Sequence, residues 1–304
     1  MIPFIKYSKI WLAISGLVAL VCIVFLFMWQ LKLGIDFTGG SLMQVSFSQN
    51  TPPMEDLQKS LEAMGLHNSV IQTVGDKGVL FRTNFLSEDE HQNVLKTLRT
   101  EYQKEGNTLT EVSFETIGSS VSQQLRSRAV WAIIFVNIGI ILYVAYAFRK
   151  VSRPVASWKY GLLAIVALLH DVLLVMGVFA LLGHLQGVEI DVAFVVAILT
   201  VLGYSVNDTI VVYDRIRENL IRKSSADFAE TVNTGLNETL MRSINTTLKT
   251  MLPLFALYFL GGSTLHNFTL ALLIGIASGA YSSIFIASPL LVIVHKWQLR
   301  RQVA

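Results

Sequence analysis

Charge is what this sequence has least of. Asp, Glu, Lys and Arg make up 15% of its 304 residues, where a soluble domain carries about 25%. That deficit excludes an ordinary soluble protein and points to a polytopic membrane chain. Cysteine is nearly absent too. Cys22 stands alone inside an apolar stretch, reads as a small apolar residue, and excludes an intrachain disulfide. The formal net charge is only +3, and the cations sit beside apolar runs. They read as topology signals, not as a nucleic-acid surface. Low-complexity tracts and internal repeats are missing. No small-x-small cleavage site follows the first apolar run, which continues into Gln30-Leu31-Lys32. The run is also longer than a secretory h-region of ~7–15 residues, so it reads as an uncleaved signal anchor.

What the chain does have is apolar length. Six runs suit bilayer-crossing helices of ~20 residues: 10–29, 130–148, 158–182, 190–212, 246–260 and 268–295. The last exceeds one span and carries Pro289, which predicts a tilt or kink. Lys6 and Lys9 precede the first run. Arg149, Lys150, Arg153 and Lys159 separate the second from the third. Arg215, Arg217, Arg222, Lys223 and Arg242 separate the fourth from the fifth, and Lys296, Arg300 and Arg301 follow the sixth. The opposite loops, 184–189 and 261–267, contain no Lys or Arg. The positive-inside rule then makes both termini cytoplasmic. The expected organisation is a cytoplasmic N-terminus and first span over 1–29 and an extracytoplasmic domain over 30–128. A five-helix transmembrane bundle follows over 129–304, with a cytoplasmic loop at 213–243.

The outer segment reads as a small α+β domain. Residues 42–47 alternate like a strand. Met54, Leu57, Leu61 and Met64 have helical spacing, with Gly65 as the stop. Strands at 69–74 and 79–84 flank the turn Gly75-Asp76-Lys77-Gly78. Ser87-Glu88-Asp89-Glu90 matches a capping box and starts a helix carrying Val94, Leu95, Leu98 and Tyr102. A last strand covers 110–117. The order β-α-β-β-α-β is the ferredoxin-like split unit. On the other side of the membrane, Phe228, Val232, Leu236 and Leu240 predict an amphipathic helix on the membrane surface or against the bundle.

Asp208 closes an apolar run that begins at Val192 and contains no earlier charge. At that depth a carboxylate costs roughly 2.5–3.5 kcal/mol. It requires a hydrated cavity, a partner or a proton. Arg215 lies seven residues on, ~10 Å along a helix. If Arg215 marks the interface, Asp208 is inside the hydrocarbon; otherwise it is a helix-end carboxylate. Asp214, beside Arg215, reads as an interfacial ion pair. His170 and Asp171 sit mid-way along the third run, as a proton relay or as polar glue between helices. Arg242 opens the fifth run, as a partner for Asp208 or as a snorkelling cation. Gly275, Gly279, Ser283 and Ala287 form a small-residue packing stripe. Asp36, with Gly39 and Gly40, forms a tight glycine turn just outside the first run.

Two of these strings together resemble one family. Gly34-Ile35-Asp36-Phe37-Thr38-Gly39-Gly40-Ser41 is similar to the hallmark turn of the bacterial SecF protein-export family. Val206-Asn207-Asp208-Thr209-Ile210-Val211-Val212-Tyr213-Asp214-Arg215-Ile216-Arg217-Glu218-Asn219 resembles its fourth-span signature. The likeness extends through Leu168-Leu169-His170-Asp171-Val172 and Tyr281-Ser282-Ser283-Ile284-Phe285-Ile286-Ala287-Ser288-Pro289. The family implies half of a twelve-span assembly of the resistance-nodulation-division type, in the bacterial inner membrane, whose other half is SecD. It implies association with the SecY channel complex and its accessory subunits, and contact with an unfolded polypeptide in transit and with lipid. It also implies use of the proton-motive force in late-stage export, without cofactor, metal or enzymatic activity. Carried over, the family's intramembrane acid is Asp208, flanked by Asn207, and its arginine is Arg242. The match is looser at Thr246-Thr247-Leu248-Lys249.

Three classes of rival remain on sequence: an exporter, an intramembrane protease and a structural subunit. A small-molecule or lipid exporter of the same superfamily would usually carry larger outer domains than 30–128. An intramembrane aspartyl protease using Asp171 and Asp208 would need Gly-x-Gly-Asp, but Asp208 follows Ser205-Val206-Asn207. A rhomboid-like serine site would need Gly-x-Ser-Gly, and Gly203-Tyr204-Ser205-Val206 fails at its last position. A purely structural assembly subunit is the third.

Overall fold

The computed structural model describes residues 1–303 except 68, 104, 105, 148–154 and 223–226. The chain divides into two compact units. One is Met1–Lys32 with Val130–Ala304, the other Leu33–Ala129. Helix α1 (Ser8–Trp29) begins the first unit.

In the second unit the one-turn α2 (Ile35–Thr38) leads into β1 (Gly40–Phe47). Then follow α3 (Met54–Ala63), β2 (Val70–Val74), β3 (Gly78–Thr83), α4 (Glu88–Tyr102) and β4 (Leu109–Ile117). All neighbouring strands pair antiparallel in the order β2-β3-β1-β4. Strand alternation puts Met43, Val45 and Phe47 on one face. Leu57 and Leu61 of α3 and Val94, Leu95 and Leu98 of α4 close over them as one core. The capping box forms: Ser87 Oγ accepts from Glu90 N–H, and the Glu90 carboxylate accepts from Ser87 N–H at 2.8 Å. Buried His91 stacks on Phe114 and bonds to Glu111 at 2.7 Å. The sequence alone did not single that histidine out.

The first unit continues with α5 (Ser119–Ala147), α6 (Ser157–Gln186), α7 (Val192–Arg222), α8 (Phe228–Leu260) and α9 (Ser263–Ser282). A π-helical turn at Ser283–Ala287 joins α9 to α10 (Ser288–Val303). Among the described residues, five helical stretches are long and apolar enough to cross a bilayer. They are Ser8–Trp29, Ser119–Ala147, Trp158–Gln186, Val192–Arg222 and Thr264–Arg301. The run 246–260 is the second half of α8, where Asn245, Thr246, Thr247 and Lys249 lower the hydropathy.

Within 213–243 the amphipathic helix expected from Phe228, Val232, Leu236 and Leu240 is present, against the bundle, but the rest of the expected loop is largely helical too. α7 runs on to Arg222, and α8 is continuous from Phe228. Both extensions have a buried side: Tyr213, Ile216 and Asn219 on α7, and Phe228, Val232 and Leu236 on α8. Arg215 links them, donating to Glu238 at 2.8 Å while pairing with Glu218. Asp214 forms an ion pair, as expected, and its partner is Arg217 at 3.2 Å and not the adjacent Arg215. Successive helical residues diverge, whereas residues three apart share a face. Arg149, Lys150, Arg153 and Lys223 lie outside the described residues.

Close helix approach comes from small side chains. Gly177 of α6 meets Cys22 of α1 with no room for a Cβ. The bend expected at Pro289 is accommodated by the π turn just before it. Pro289 has no N–H for the carbonyl four residues back and crowds it, and a wider turn relieves that clash. The chain start lies along α8. Ile2 N–H donates to Asn237 Oδ1 at 2.7 Å, and Asn237 Nδ2 donates back to the Ile2 carbonyl at 2.9 Å. Buried Phe4 meets Phe285 of the π turn edge-on at 5.7 Å.

Candidate functional site

α7 buries one stripe: Phe194, Ile198, Val201, Ser205, Asp208, Thr209, Val212 and Ile216. Three- and four-residue spacing turns these positions to one side. Asp208 falls on that stripe and is 8% exposed. Its Oδ1 accepts a hydrogen bond from Ser243 Oγ of α8 at 2.6 Å. Its Oδ2 is buried without a geometric hydrogen bond among the described residues, although the Ser283 hydroxyl, bonded to Thr209, is near enough to act on the carboxylate. Asn207, one position off the stripe, is exposed. Arg242 is also exposed and forms no ion pair with Asp208, although its charge acts on the carboxylate through space. Ser243 was missed from sequence. Extending the buried stripe of α8 through Thr239, Ser243 and Thr247 would have found it.

The small-residue stripe matches α7 residue for residue. A Cβ on Gly275 would collide with Val201, and one on Gly279 would lie 2.8 Å from Ser205 Cβ. Ser283 Oγ shares a 2.8 Å hydrogen bond with Thr209 Oγ1. The Ala287 carbonyl accepts from Tyr213 OH at 3.1 Å. Three steps of four residues along each side therefore stay in register.

Asp171 of α6 is fully buried. Oδ1 accepts from Ser278 Oγ at 2.6 Å, and Oδ2 accepts from Ser205 and Ser282 at 2.7 Å each. Nδ1 of His170 is 3.4 Å from Oδ1, and its Nε2 is buried without a partner among the described residues. The structure thus brings Asp208, Asp171, His170, Gly275, Gly279 and Ser283 to one region of the bundle. No group of three or more His, Cys, Asp or Glu among the described residues is arranged to hold a metal.

Asp36, Gly39 and Gly40 belong to the other unit. Gly39 has φ +76° and Gly40 φ +121°, a region that favours glycine. A Cβ on Gly40 would also lie 2.6 Å from the Thr83 carbonyl oxygen. Arg82 donates to the Leu33 carbonyl at 2.9 Å and to Thr38 Oγ1 at 3.0 Å, bracing the turn.

The family "Protein export membrane protein SecD/SecF, C-terminal" matches residues 97–297. The "SecD/SecF GG Motif" matches residues 24–51, around Gly39 and Gly40. Protein translocase subunit SecF of Thermobaculum terrenum is 42% identical over 304 residues, covering 96% of this chain and 93% of that protein. The chain belongs to the SecF family. Protein translocase subunit SecDF of Brucella abortus is 35% identical over 297 residues, covering 96% of this chain. This chain spans only 37% of that protein. The crystal structure of SecDF, a translocon-associated membrane protein from Thermus thermophilus, superposes with a TM-score of 0.82 at 35% identity. The superposition covers 96% of this chain and 38% of that one. SecF membership thus rests on both units, through the glycine turn in one and the α7 region in the other.

Proposed function

We propose that this chain is an auxiliary subunit of the Sec translocase that uses the proton-motive force in late-stage export across the cytoplasmic membrane. Asp208 carries the reading: a carboxylate buried between α7 and α8, one oxygen held by Ser243 and the other without a geometric hydrogen bond among the described residues. A proton can arrive at Oδ2 without breaking one. Neutralisation weakens the Ser243 bond and removes the attraction of Arg242, so α7 and α8 are free to shift. One charge crossing 100 mV supplies ~2.3 kcal/mol, about a fifty-fold change in a two-state ratio. The shift passes along α1 into the Asp36-Gly39-Gly40 turn and the outer domain.

The finer architecture follows the same reading. Residues 246–260 of α8 supply a sixth span, and both termini are cytoplasmic. The outer domain is extracytoplasmic and ferredoxin-like, for which the strand order β2-β3-β1-β4 is support. Gly203 and Asn207 of α7 are exposed, as are Arg242, Asn245 and Lys249 of α8. Cations facing lipid at this depth are expensive. We therefore assign the seam to SecD, in line with the SecDF relatives. The SecY complex, the exported chain and lipid are the remaining partners.

The test is export of a secretory protein in vesicles carrying Asp208→Asn, with the gradient present and then collapsed, while assembly with SecD is quantified. The expected result is normal assembly with loss of the gradient-dependent part alone. Unchanged gradient dependence would overturn the proton reading. Loss of assembly with gradient dependence intact would make the chain a structural subunit.

A further inference from the structure

Asp171 and Asp208 are built for different tasks. Asp208 has one oxygen without a geometric hydrogen bond among the described residues, near the Ser283 hydroxyl. Asp171 has both oxygens taken by three hydroxyls, all on serines that are at most 5% exposed. Three of its roughly four lone-pair sites are thus filled by serine donors from two other helices. Among the described residues, the titratable side chain in contact with Asp171 is its neighbour His170, at 3.4 Å.

The three serines come from two other helices, and their places matter. Ser205 precedes Asp208 by one turn of α7. Ser282 is the last residue of α9, and Ser283 opens the π turn and bonds Thr209, the residue after Asp208. Gly279 sits between these contacts, where an added Cβ would lie 2.8 Å from Ser205 Cβ. Asp171 therefore grips α7 on one side of Asp208 and α9 where its helical pitch changes. π turns are rare and often mark functional sites.

We propose that Asp171 is a positioning residue for the coupling acid: through Ser205, Ser278 and Ser282 it fixes the α7–α9 contact that sets the surroundings of Asp208. This rests on Asp208 being the group that exchanges protons. An ionised carboxylate only accepts hydrogen bonds, whereas a carboxamide of the same size offers one acceptor oxygen and a donor nitrogen. Asp171→Asn therefore keeps the volume and reverses the polarity facing part of the cage. Ser282→Ala removes one donor and leaves Asp171 in place.

The experiment uses the full chain assembled with SecD in membranes. Infrared difference spectra between low and high pH locate the Asp208 carbonyl band as the one missing from Asp208→Asn. In Asp171→Asn and Ser282→Ala the band should shift in position and in its pH midpoint. Gradient-dependent export should fall about tenfold in Asp171→Asn, the factor equivalent to ~1.4 kcal/mol, and less in Ser282→Ala. An unmoved band in both variants overturns the proposal, whether or not export falls. If no band is lost in Asp208→Asn, the underlying coupling reading fails instead, so the two failures are separable. If Asp171→Asn does not assemble, Ser282→Ala decides alone.

Discussion

Ser243 donates a 2.6 Å hydrogen bond to Asp208 from the position next to Arg242. The conspicuous cation lies outside while its small neighbour points in. On a helix, adjacent side chains diverge, so only one of them can face α7. Specificity for the acid therefore resides in a hydroxyl, and the guanidinium contributes only a field.

Ser243→Ala should consequently be more damaging than Arg242→Lys. A hydrogen bond to a charged group contributes about 1.5–3 kcal/mol. Gradient-dependent export should fall tenfold or more in Ser243→Ala with assembly unchanged. Arg242→Lys keeps the charge, breaks no bidentate contact, and should stay near wild type. A reversed order of the two variants in the vesicle assay would contradict this account.

Gly279→Ala and Gly203→Ala should separate internal packing from partner packing. At Gly279 the new Cβ would lie 2.8 Å from Ser205 Cβ and 3.1 Å from its Cα. Overpacking of this kind costs about 1–3 kcal/mol, so the melting temperature of the chain should drop. At Gly203 nothing lies within 4 Å. Gly203→Ala should leave the chain alone as stable as before and weaken co-purification with SecD.

Lys249 gives a second check on that seam. It is exposed on α8 and forms no ion pair among the described residues. If SecD supplies its counter-charge, Lys249→Leu should lower recovery of the complex. Melting of the chain by itself should be unaffected.

In the outer domain, Ser87→Ala should destabilise α4 by about 1 kcal/mol. The Glu90 carboxyl is held below its ordinary value, first by the Ser87 N–H and then by the Ser87 hydroxyl. That contribution is present above the unfolded carboxylate's pKa and is lost as pH falls through the lowered folded value. Amide-exchange protection of residues 91–95 should therefore differ between Glu90→Gln and wild type at neutral pH and converge in acid.

Asp208 was legible because a lone charge at the end of an apolar run is conspicuous. Gly39 and Gly40 were legible because their backbone angles leave few alternatives. The outer domain followed from alternation in β1 and from the capping box at Ser87. The serine cage was not legible: Ser205, Ser278 and Ser282 are distant in sequence, and serine is common in membrane helices. The first part of α8 was legible from Phe228, Val232, Leu236 and Leu240, but the extension of α7 was hidden for another reason. Its polar surface read as loop, while burial of Ile216 and the Arg215–Glu238 contact hold it helical.

The π turn at Ser283–Ala287 amounts to one surplus residue in an otherwise α-helical run. Deleting that surplus residue would close the wide turn into regular α-helix and leave the faces beyond it where they are, with Leu291 and Val292 still buried and Ile293 still exposed. A deletion elsewhere in the run has no surplus to draw on and would rotate everything beyond it by ~100°. A one-residue deletion scan across 280–292 should therefore find 283–287 the most tolerant stretch.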